Sequence, residues 1–447
     1  MNVVVIGLGE VGKHIAKVLS KENHNVTVID SNQEVIAAID ERLDVRSIVG
    51  RGGSVNTLKS AEIEKTDLVI AVTNVDEANI LTSLIAKNGG AKQVVARVDS
   101  LDYLPDNQGT NPGLYGIDLV ISPEVLSAVE VSKLTKYLGA RYIEGFADER
   151  VILMQLKMKT KENVTGIPLA KLEIPADLLV AAIARNGELI IPSGETVLED
   201  GDEISIIGKT EAIGIGAAFF GSKERVNAEK VVVLGGGEIG YTVAKLLEEQ
   251  KVSVTLIEWK KSRCEELSQL LRSTIIINGD GTDIEILKQQ KVWEADVFVA
   301  ASKRDEVNLM SGLLAKELGS KKTIAIVHRP DYLPVYEHLG LDATISPRRF
   351  AANKILKYVR SGEVVSVSDI ETGKGEILEF EVPRGSKTIG KQLKELKIPR
   401  GTVIGAIAGQ RGVIIPTGND EIEAEDKVIV FTTPEVRPKV ENLFKSV

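Results

Sequence analysis

Three glycines near the amino terminus have the spacing of a phosphate-binding loop. Gly7, Gly9 and Gly12 follow the apolar run VVVI and precede a segment of helical period. In this context the first glycine allows a tight turn, the second lets a pyrophosphate approach the backbone, and the third lets helix and strand pack closely. The amino terminus of the helix then offers free N–H groups to phosphate oxygens. The pattern therefore predicts a nucleotide-binding site.

A carboxylate stands where such a site needs one to hold a ribose. Asp30 ends the next apolar run, NVTVID, and from there it can accept hydrogen bonds from both hydroxyls of an adenosine ribose. A 2′-phosphate would meet this negative charge, so the site is expected to prefer NAD or a simple adenine nucleotide over NADP. The alternative is that the acid merely ends a strand.

The same constellation occurs a second time in the chain. A constant spacing of 228 residues relates the two sets, and after one inserted residue the register continues at 229. The recurring residues are Gly7, Gly9, Gly12 and Asp30 in the first copy and Gly235, Gly237, Gly240 and Glu258 in the second. A different kind of segment follows each copy, GIPLAKLEIP at 166–175 and GKQLKELKIP at 390–399. The organisation is therefore A–B–A–B, and the duplication argues against the strand-end alternative for Asp30.

The elements that must position these residues are readable from hydrophobic periodicity. In each A unit, unbroken runs rich in Val and Ile alternate with helical segments, which predicts a doubly wound parallel sheet of the Rossmann type. Each B unit is predicted as a small α+β domain with one helix near 168–173 in the first copy and a hairpin turn at Asn186-Gly187. The predicted domains are 1–138, 139–224, 228–359 and 360–447.

Composition excludes several classes of protein. The chain has 447 residues, with 55 Lys+Arg against 64 Asp+Glu and a formal net charge of −9, which gives a nucleic-acid partner no general electrostatic support. Cys264 is the only cysteine, so a disulfide framework or a cysteine-rich metal site is excluded and a reducing cytoplasm is indicated. Since no apolar stretch approaches the length of a bilayer span, we expect membrane contact only through a partner.

No constellation for a reaction accompanies the glycine loops. The four histidines form no evident dyad, and the Tyr241-x-x-x-Lys245 pair falls on the phosphate-binding helix rather than facing a nicotinamide. Nucleophile, Walker-type and zinc-protease motifs are absent from the sequence. We therefore expect no catalytic residue and no metal site, and a nucleotide that is sensed rather than consumed. Two alternatives stay open: an NAD-dependent oxidoreductase with a cryptic site, and a nucleotide-sensing scaffold without a transporter.

The two copies differ around their shared glycines. After the fourth strand the first copy has Thr73-Asn74 and the second has Ser302-Lys303, and Arg97 in the first is replaced by isoleucine in the second. The second copy places Trp259 directly after its acid, where an aromatic ring could stack on adenine. The first site is therefore expected to offer more polar contacts to a ligand.

The motifs together resemble a known family. The strand–GLGEVG–helix segment, the acid at Asp30, the segment TDLVIAVTNVDEANI at 66–80 and the A–B–A–B order are similar to the TrkA family, the regulatory subunits of Trk potassium uptake systems built from two RCK tandems. The resemblance implies a cytoplasmic protein that binds NAD(H), with ATP or ADP as further ligands, and assembles as a homo-oligomeric ring. It further implies that this ring lies at the inner face of the cell membrane and gates a potassium transporter.

The resemblance also assigns individual residues to the nucleotide. In the first copy the contacts carry over to Gly7, Leu8, Gly9, Glu10, Val11, Asp30, Thr73, Asn74 and Arg97. In the second copy they carry over to Gly235, Gly237, Gly240 and Glu258. Loss of the Arg97 equivalent leaves open whether the second site binds the same ligand.

Overall fold

The first A unit forms a mostly parallel sheet in the computed structural model, which describes residues 1–104, 110–158, 160–161, 163–221, 227–359, 364–370 and 374–445. Its strands are β1 (Asn2–Ile6), β2 (Asn25–Asp30), β3 (Arg46–Val49), β4 (Leu68–Ala71), β5 (Gln93–Arg97), β6 (Thr110–Pro112) and β7 (Leu119–Ile121). Its helices are α1 (Glu10–Lys21), α2 (Gln33–Asp40), α3 (Val55–Ser60), α4 (Asp76–Asn88) and α5 (Pro123–Lys136). The strand order is β3-β2-β1-β4-β5-β7-β6, and β6 alone runs antiparallel to its neighbour. The order reverses between β1 and β4, which is where a doubly wound sheet binds its ligand.

The first B unit is an antiparallel sheet with one helix. Its elements are β8 (Ala140–Phe146), β9 (Val151–Lys157), β10 (Leu178–Arg185), β11 (Glu188–Ile190), β12 (Glu203–Lys209) and α6 (Ile213–Phe220). The predicted turn at Asn186-Gly187 is confirmed, because both residues have positive φ, 51° and 74°, as a two-residue hairpin requires. The helix predicted near 168–173 is wrong in kind: only a 3₁₀ turn, Leu169–Lys171, forms there. Pro168 and Leu172 flank this turn with extended backbone, at ψ 136° and 133°, so the helical conformation does not continue beyond it.

The second A unit repeats the parallel architecture. Its strands are β13 (Lys230–Leu234), β14 (Ser253–Glu258), β15 (Ile275–Asn278), β16 (Val297–Ala300), β17 (Lys322–Ile326) and β18 (Ala343–Ile345). Its helices are α7 (Glu238–Glu249), α8 (Lys261–Leu270), α9 (Ile284–Gln289), α10 (Asp305–Leu318), α11 (Leu333–His338) and α12 (Pro347–Val359). The strand order β15-β14-β13-β16-β17-β18 reproduces the reversal of the first sheet.

The second B unit is again antiparallel. Its elements are β19 (Val364–Ile370), β20 (Gly375–Glu381), β21 (Val403–Gly409), β22 (Gly412–Ile414), β23 (Lys427–Thr432) and α13 (Arg437–Phe444), and the strand order is β19-β20-β23-β21-β22. The predicted fold class, two Rossmann-like sheets each followed by a small α+β domain, is therefore confirmed.

Like units associate within the chain. One compact unit contains Met1–Ser132 and Glu229–Val359, and the other contains Lys133–Ala228 and Arg360–Val447. Each compact unit thus combines two of the four predicted domains, and the limits of those domains stay predictions.

Within the first compact unit, the two A units share a hydrophobic core. Ile355 and Val359 of α12 lie in one buried cluster with Val3 of β1 and with Ile15 and Leu19 of α1. The two A units are also joined by a hydrogen bond of 2.7 Å, which the Gln250 amide just after α7 donates to the Ser132 hydroxyl of α5. The last helix of the second A unit therefore completes the core of the first.

Within the second compact unit, the two antiparallel sheets pack on one another. Phe146 and Leu153 of the first B unit share a buried cluster with Ile377 and Phe431 of the second. The buried Glu379 carboxylate accepts a 2.9 Å hydrogen bond from the backbone N–H of Ala147. This charge-assisted contact ties the two B units together beside their apolar core.

Candidate nucleotide-binding sites

The first glycine loop has the backbone that its spacing predicts. Gly7 adopts φ 93°, a left-handed conformation that a side chain disfavours. A Cβ on Gly12 would lie 1.9 Å from the Gly7 carbonyl oxygen, so only glycine lets α1 start this close to β1. Gly235 and Gly240 repeat both features, with φ 99° and the same 1.9 Å approach.

The middle glycine of each loop faces open space instead. A Cβ on Gly9 or on Gly237 would meet no atom within 4 Å. Each residue is the N-cap of its helix, α1 or α7, and no side chain caps the helix there. The free N–H groups of the first turn are therefore left to an external acceptor, which is what a phosphate supplies.

The acid that follows the second strand ties the glycine loop in place. Asp30 accepts a 2.7 Å hydrogen bond from the Leu8 N–H through Oδ2 and a 2.9 Å bond from the Asn32 N–H through Oδ1. A carboxylate has about four acceptor sites, so Asp30 can still accept further hydrogen bonds.

The second acid makes the equivalent pair of bonds. Glu258 accepts from the Gly236 N–H at 2.7 Å and from the Lys260 N–H at 2.8 Å. Glu258 is only 6 % exposed. Because it is buried, it contributes more to the stability of its loop than the partly exposed Asp30 does.

A buried asparagine organises the loop after the fourth strand. The Asn79 side chain accepts from the Thr73 N–H at 2.8 Å and donates to the carbonyls of Thr73 and Arg97 at 2.9 and 3.0 Å. Asn308 bonds Ser302 and Ile326 in the same way. The sequence analysis assigned no role to either asparagine. The sequence does contain a signal for them, because an asparagine on the buried face of a helix needs buried hydrogen-bond partners.

A second pair of clamps comes from the first residue of α4 and of α10. Asp76 accepts from the N–H groups of Asp99 and Ser100 at 3.0 and 2.8 Å. Asp305 accepts from the N–H groups of His328 and Arg329 at 2.8 and 3.0 Å. These carboxylates fix the loop after the fifth strand beside the loop after the fourth.

The other predicted contacts of the first site are distributed along this edge. Leu8 and Val11 have buried side chains, so they contribute backbone groups, whereas Glu10 is exposed at the start of α1. Arg97 at the end of β5 holds the Asp99 carboxylate through Nε and one terminal nitrogen, both at 2.6 Å. The predicted residues of the first copy therefore lie in the loop after β1, in the first turn of α1, and at or just after the ends of β2, β4 and β5.

The second site has an arginine that the sequence reasoning missed. Arg263 on α8 donates a 2.7 Å hydrogen bond to the Gly236 carbonyl, and the 228-residue register pairs it with Val35 in the first copy. Trp259 is 70 % exposed next to Glu258, with the Lys260 ammonium 5.3 Å from the centroid of the tryptophan ring. The second site therefore carries more positive charge and an available aromatic face on its adenosine side.

A cavity of about 520 Å³ lies between the two A units at the edge that bears both sites. Asn74 and the loops that hold Asp99 and Ser100 line it from the first copy. From the second copy it is lined by Gly237, by the start of α7 and by the loops after β16 and β17. Its carboxylates among the described residues are Asp76, Glu77, Asp99, Asp102, Glu124 and Glu238.

Burial perturbs two of these carboxyl groups. Burial, together with the charge of Asp99, raises the pKa of Glu124 to about 8, although Arg97 opposes the shift. Burial also raises the pKa of Glu238, and the charge of Asp102 adds to this increase. In the part of the chain that the structure describes, no three His, Cys, Asp or Glu side chains are arranged to hold a metal ion. None of the described helices is long and apolar enough to cross a membrane.

The chain matches two family models, each of them twice. The TrkA-N domain model matches residues 3–123 and 231–347, and the TrkA-C domain model matches residues 153–214 and 377–445. Among solved structures, the GsuK channel bound to NAD aligns over 99 % of this chain and 78 % of that one, with a TM-score of 0.61 and 17 % identity. The GsuK RCK domain aligns over 99 % and 94 %, also with a TM-score of 0.61. At this identity the structural likeness establishes the fold alone.

Curated relatives are similar over their whole length. "Trk system potassium uptake protein TrkA homolog 2" of Methanosarcina mazei is 35 % identical over 453 residues, which covers all of both chains. "Trk system potassium uptake protein TrkA" of Vibrio alginolyticus is 33 % identical, covering 96 % of this chain and 95 % of the relative. Together with the duplicated cradle, acid and clamps, these matches show that the chain belongs to the TrkA family.

Proposed function

We propose that this chain is the regulatory subunit of a Trk-type potassium transporter and that it senses NAD(H), or ATP and ADP, through its two glycine loops. The observation that best supports this proposal is that the site is intact in both copies. In each loop the middle glycine faces open space, and a carboxylate accepts a hydrogen bond from the loop backbone. The TrkA relatives bear the name of potassium uptake proteins. Solved structures of the same fold include a channel bound to NAD.

The residues of each site divide the work of binding. The N–H groups at the start of α1 and α7 bind the pyrophosphate, and Asp30 and Glu258 bind the adenosine ribose. When bound, the nucleotide supplies negative charge and hydrogen-bonding groups, and no bond has to be made or broken. Because Asp30 also holds the glycine loop, ligand binding acts on a residue that already positions the backbone.

The shared core gives binding a route to the rest of the chain. Helix α1 starts at the first phosphate cradle, and its buried face packs against α12 of the second copy. A ligand that binds one arrangement of this helix pair better than another shifts the population by its differential affinity. In this proposal the shift reaches a transporter at the cytoplasmic face of the membrane through a homo-oligomeric ring.

The alternatives make different predictions. An NAD-dependent oxidoreductase shares the Rossmann fold, and it would consume NADH with a stoichiometric loss of nicotinamide absorbance. A scaffold without a transporter would bind nucleotide but leave potassium flux unchanged.

The test combines binding and flux on the full-length protein. Calorimetric titration with NADH, NAD, ATP, ADP and NADPH should give saturable binding of the nucleotides without a 2′-phosphate and no turnover. Reconstitution with a Trk-type transporter in proteoliposomes should then show potassium flux that depends on the bound nucleotide. The matched control is the double variant Gly9→Asp/Gly237→Asp, which should abolish the nucleotide effect. Binding without any change in flux would overturn the regulatory proposal.

A further inference from the structure

Each A unit ends in a helix that contacts the other A unit, and the two helices differ in polarity. A spacing of 224 residues relates α5 of the first A unit to α12 of the second. Helix α12 buries Ala351 and Leu356 in the core of the first A unit. The equivalent positions of α5 are Ser127 and Ser132, which are also buried, and the Ser132 hydroxyl accepts the hydrogen bond from Gln250 of the second A unit. The contact of α5 therefore gains less from apolar burial than the contact of α12 does.

A lysine is buried where α5 meets the second A unit. Lys322 is the first residue of β17 and is only 3 % exposed, whereas Gln93, the equivalent residue of the first copy, is exposed. Glu130 of α5 is close enough to act on Lys322 electrostatically. Glu130 is itself buried, whereas the equivalent residue of α12, Lys354, is exposed. This buried lysine and glutamate thus have no counterpart at the equivalent positions of the α12 contact.

The environment of Lys322 disfavours its charged form. Burial lowers the pKa of Lys322 to about 7, although the charges of Asp342 and Glu130 oppose this shift. The Asp342 carboxylate is shared, because it lies 2.8 Å from the Lys316 ammonium and accepts two hydrogen bonds from Thr323. The charged groups around Lys322 are Glu130 on α5, Asp342 just before β18, Lys316 on α10, and the ion pair of Lys321 with Asp296 just before β17 and β16. Burial outweighs the carboxylates, so the closed contact favours the neutral lysine.

We propose that the contact of α5 with the second A unit is a pH-sensitive switch controlled by Lys322, which loosens the contact when it is protonated and tightens it when it is neutral. When α5 moves away, Lys322 meets water and regains the ordinary pKa of a lysine, about 10.4. The closed state therefore binds fewer protons than the open state above about pH 7, so the contact strengthens as the pH rises and weakens as it falls. Helix α5 also connects the first A unit to the first B unit. The switch acts independently of the proposed nucleotide sites.

Hydrogen exchange of the full-length protein without nucleotide tests this inference. Exchange of the backbone amides of α5 is measured from pH 6 to pH 9 and corrected for the intrinsic dependence of the rate on pH, so that it reports local opening. We expect the protection of α5 to be constant below pH 7 and to rise about tenfold per pH unit above it, since one proton is released on closing. Helix α12 is the control within the chain, because its apolar contact should show no such slope.

Two variants assign the titrating group. Lys322→Gln introduces the residue type that the first copy has at Gln93, and it should remove the dependence of α5 protection on pH. Glu130→Gln removes a charge that raises the pKa of Lys322, so the rise in protection should begin at a lower pH. A purely structural role of Glu130 would change the protection without moving this onset. Thermal unfolding identifies a variant that fails to fold, and the onset in Glu130→Gln tests the inference even if Lys322→Gln does not fold.

Constant protection of α5 from pH 6 to pH 9 in the unmodified protein would overturn the inference. A rise that persists in Lys322→Gln would also overturn it, since another group would then titrate, and so would an onset that Glu130→Gln does not move. These outcomes leave the proposed function untouched, because no nucleotide is present in the experiment.

Discussion

The two A units share the residues that shape a nucleotide site and differ in the residues that would face its ligand. The loop glycines have the same geometry in both copies, and the acids Asp30 and Glu258 and the asparagines Asn79 and Asn308 make equivalent hydrogen bonds. The variable positions are Arg97 against isoleucine, Val35 against Arg263, and Asp99 against histidine. Backbone geometry therefore tolerates little change after duplication, whereas the charge around the ligand is free to diverge.

The largest expected effect concerns the third glycine of each loop, since the stability of both A units should depend on it equally. Gly12→Ala and Gly240→Ala each place a Cβ 1.9 Å from a backbone carbonyl oxygen that cannot move cheaply. We expect each to lower the free energy of unfolding by about 4 kcal/mol or more, at the upper end for single substitutions. Urea unfolding measures this loss. Gly9→Ala is the matched control and should be nearly neutral for stability, because its Cβ meets nothing within 4 Å.

Substitution of the middle glycines tests the two sites one at a time, because it should change nucleotide binding without changing the stability of the fold. In Gly9→Asp and Gly237→Asp the new carboxylate can cap the exposed helix terminus and occupy the place of a phosphate. Each should lose nucleotide at its own site by about 100-fold, since two or more charge-assisted hydrogen bonds are lost, without a lower Tm. Calorimetric stoichiometry in the single variants reads out the two sites. A reduction of both sites by one substitution would mean that they are not independent.

The ribose acids should differ in what their removal costs. Asp30→Ala should weaken binding at the first site by about 1–3 kcal/mol, the cost of leaving polar groups unpaired, with a small effect on stability. Glu258→Ala should weaken the second site similarly and also lower the free energy of unfolding, because Glu258 is buried, whereas Asp30, which also holds two backbone N–H groups, is partly exposed. Titration calorimetry and thermal melts measure both quantities. Identical stability losses would contradict the difference in burial.

The sequence was sufficient for the sheets and the loops because their signals are local. The run that forms β1 is apolar after Asn2, the run that forms β2 is rich in valine and isoleucine, and the glycine spacing defines the turn between β1 and α1. Strand β6 was missed since Thr110–Pro112 is three residues long and contains no apolar run. The role of Arg263 depends on where α8 begins, and the cavity depends on how the copies pack on each other. Neither the contact of Arg263 nor the cavity can be predicted from the spacing of residues in the sequence.

Helix α12 of the second A unit packs into the core of the first, and this affects how the chain folds during synthesis. Val3 and Ile15 emerge early from the ribosome, but Ile355 and Val359, which cover them, are made more than three hundred residues later. At ~5–20 residues per second, the part of this apolar cluster that α12 covers waits roughly 20–70 s for its cover. The nascent chain is therefore exposed to aggregation throughout that interval, and a chaperone that shields this cluster would raise the yield of folded protein more than one acting at the carboxyl terminus.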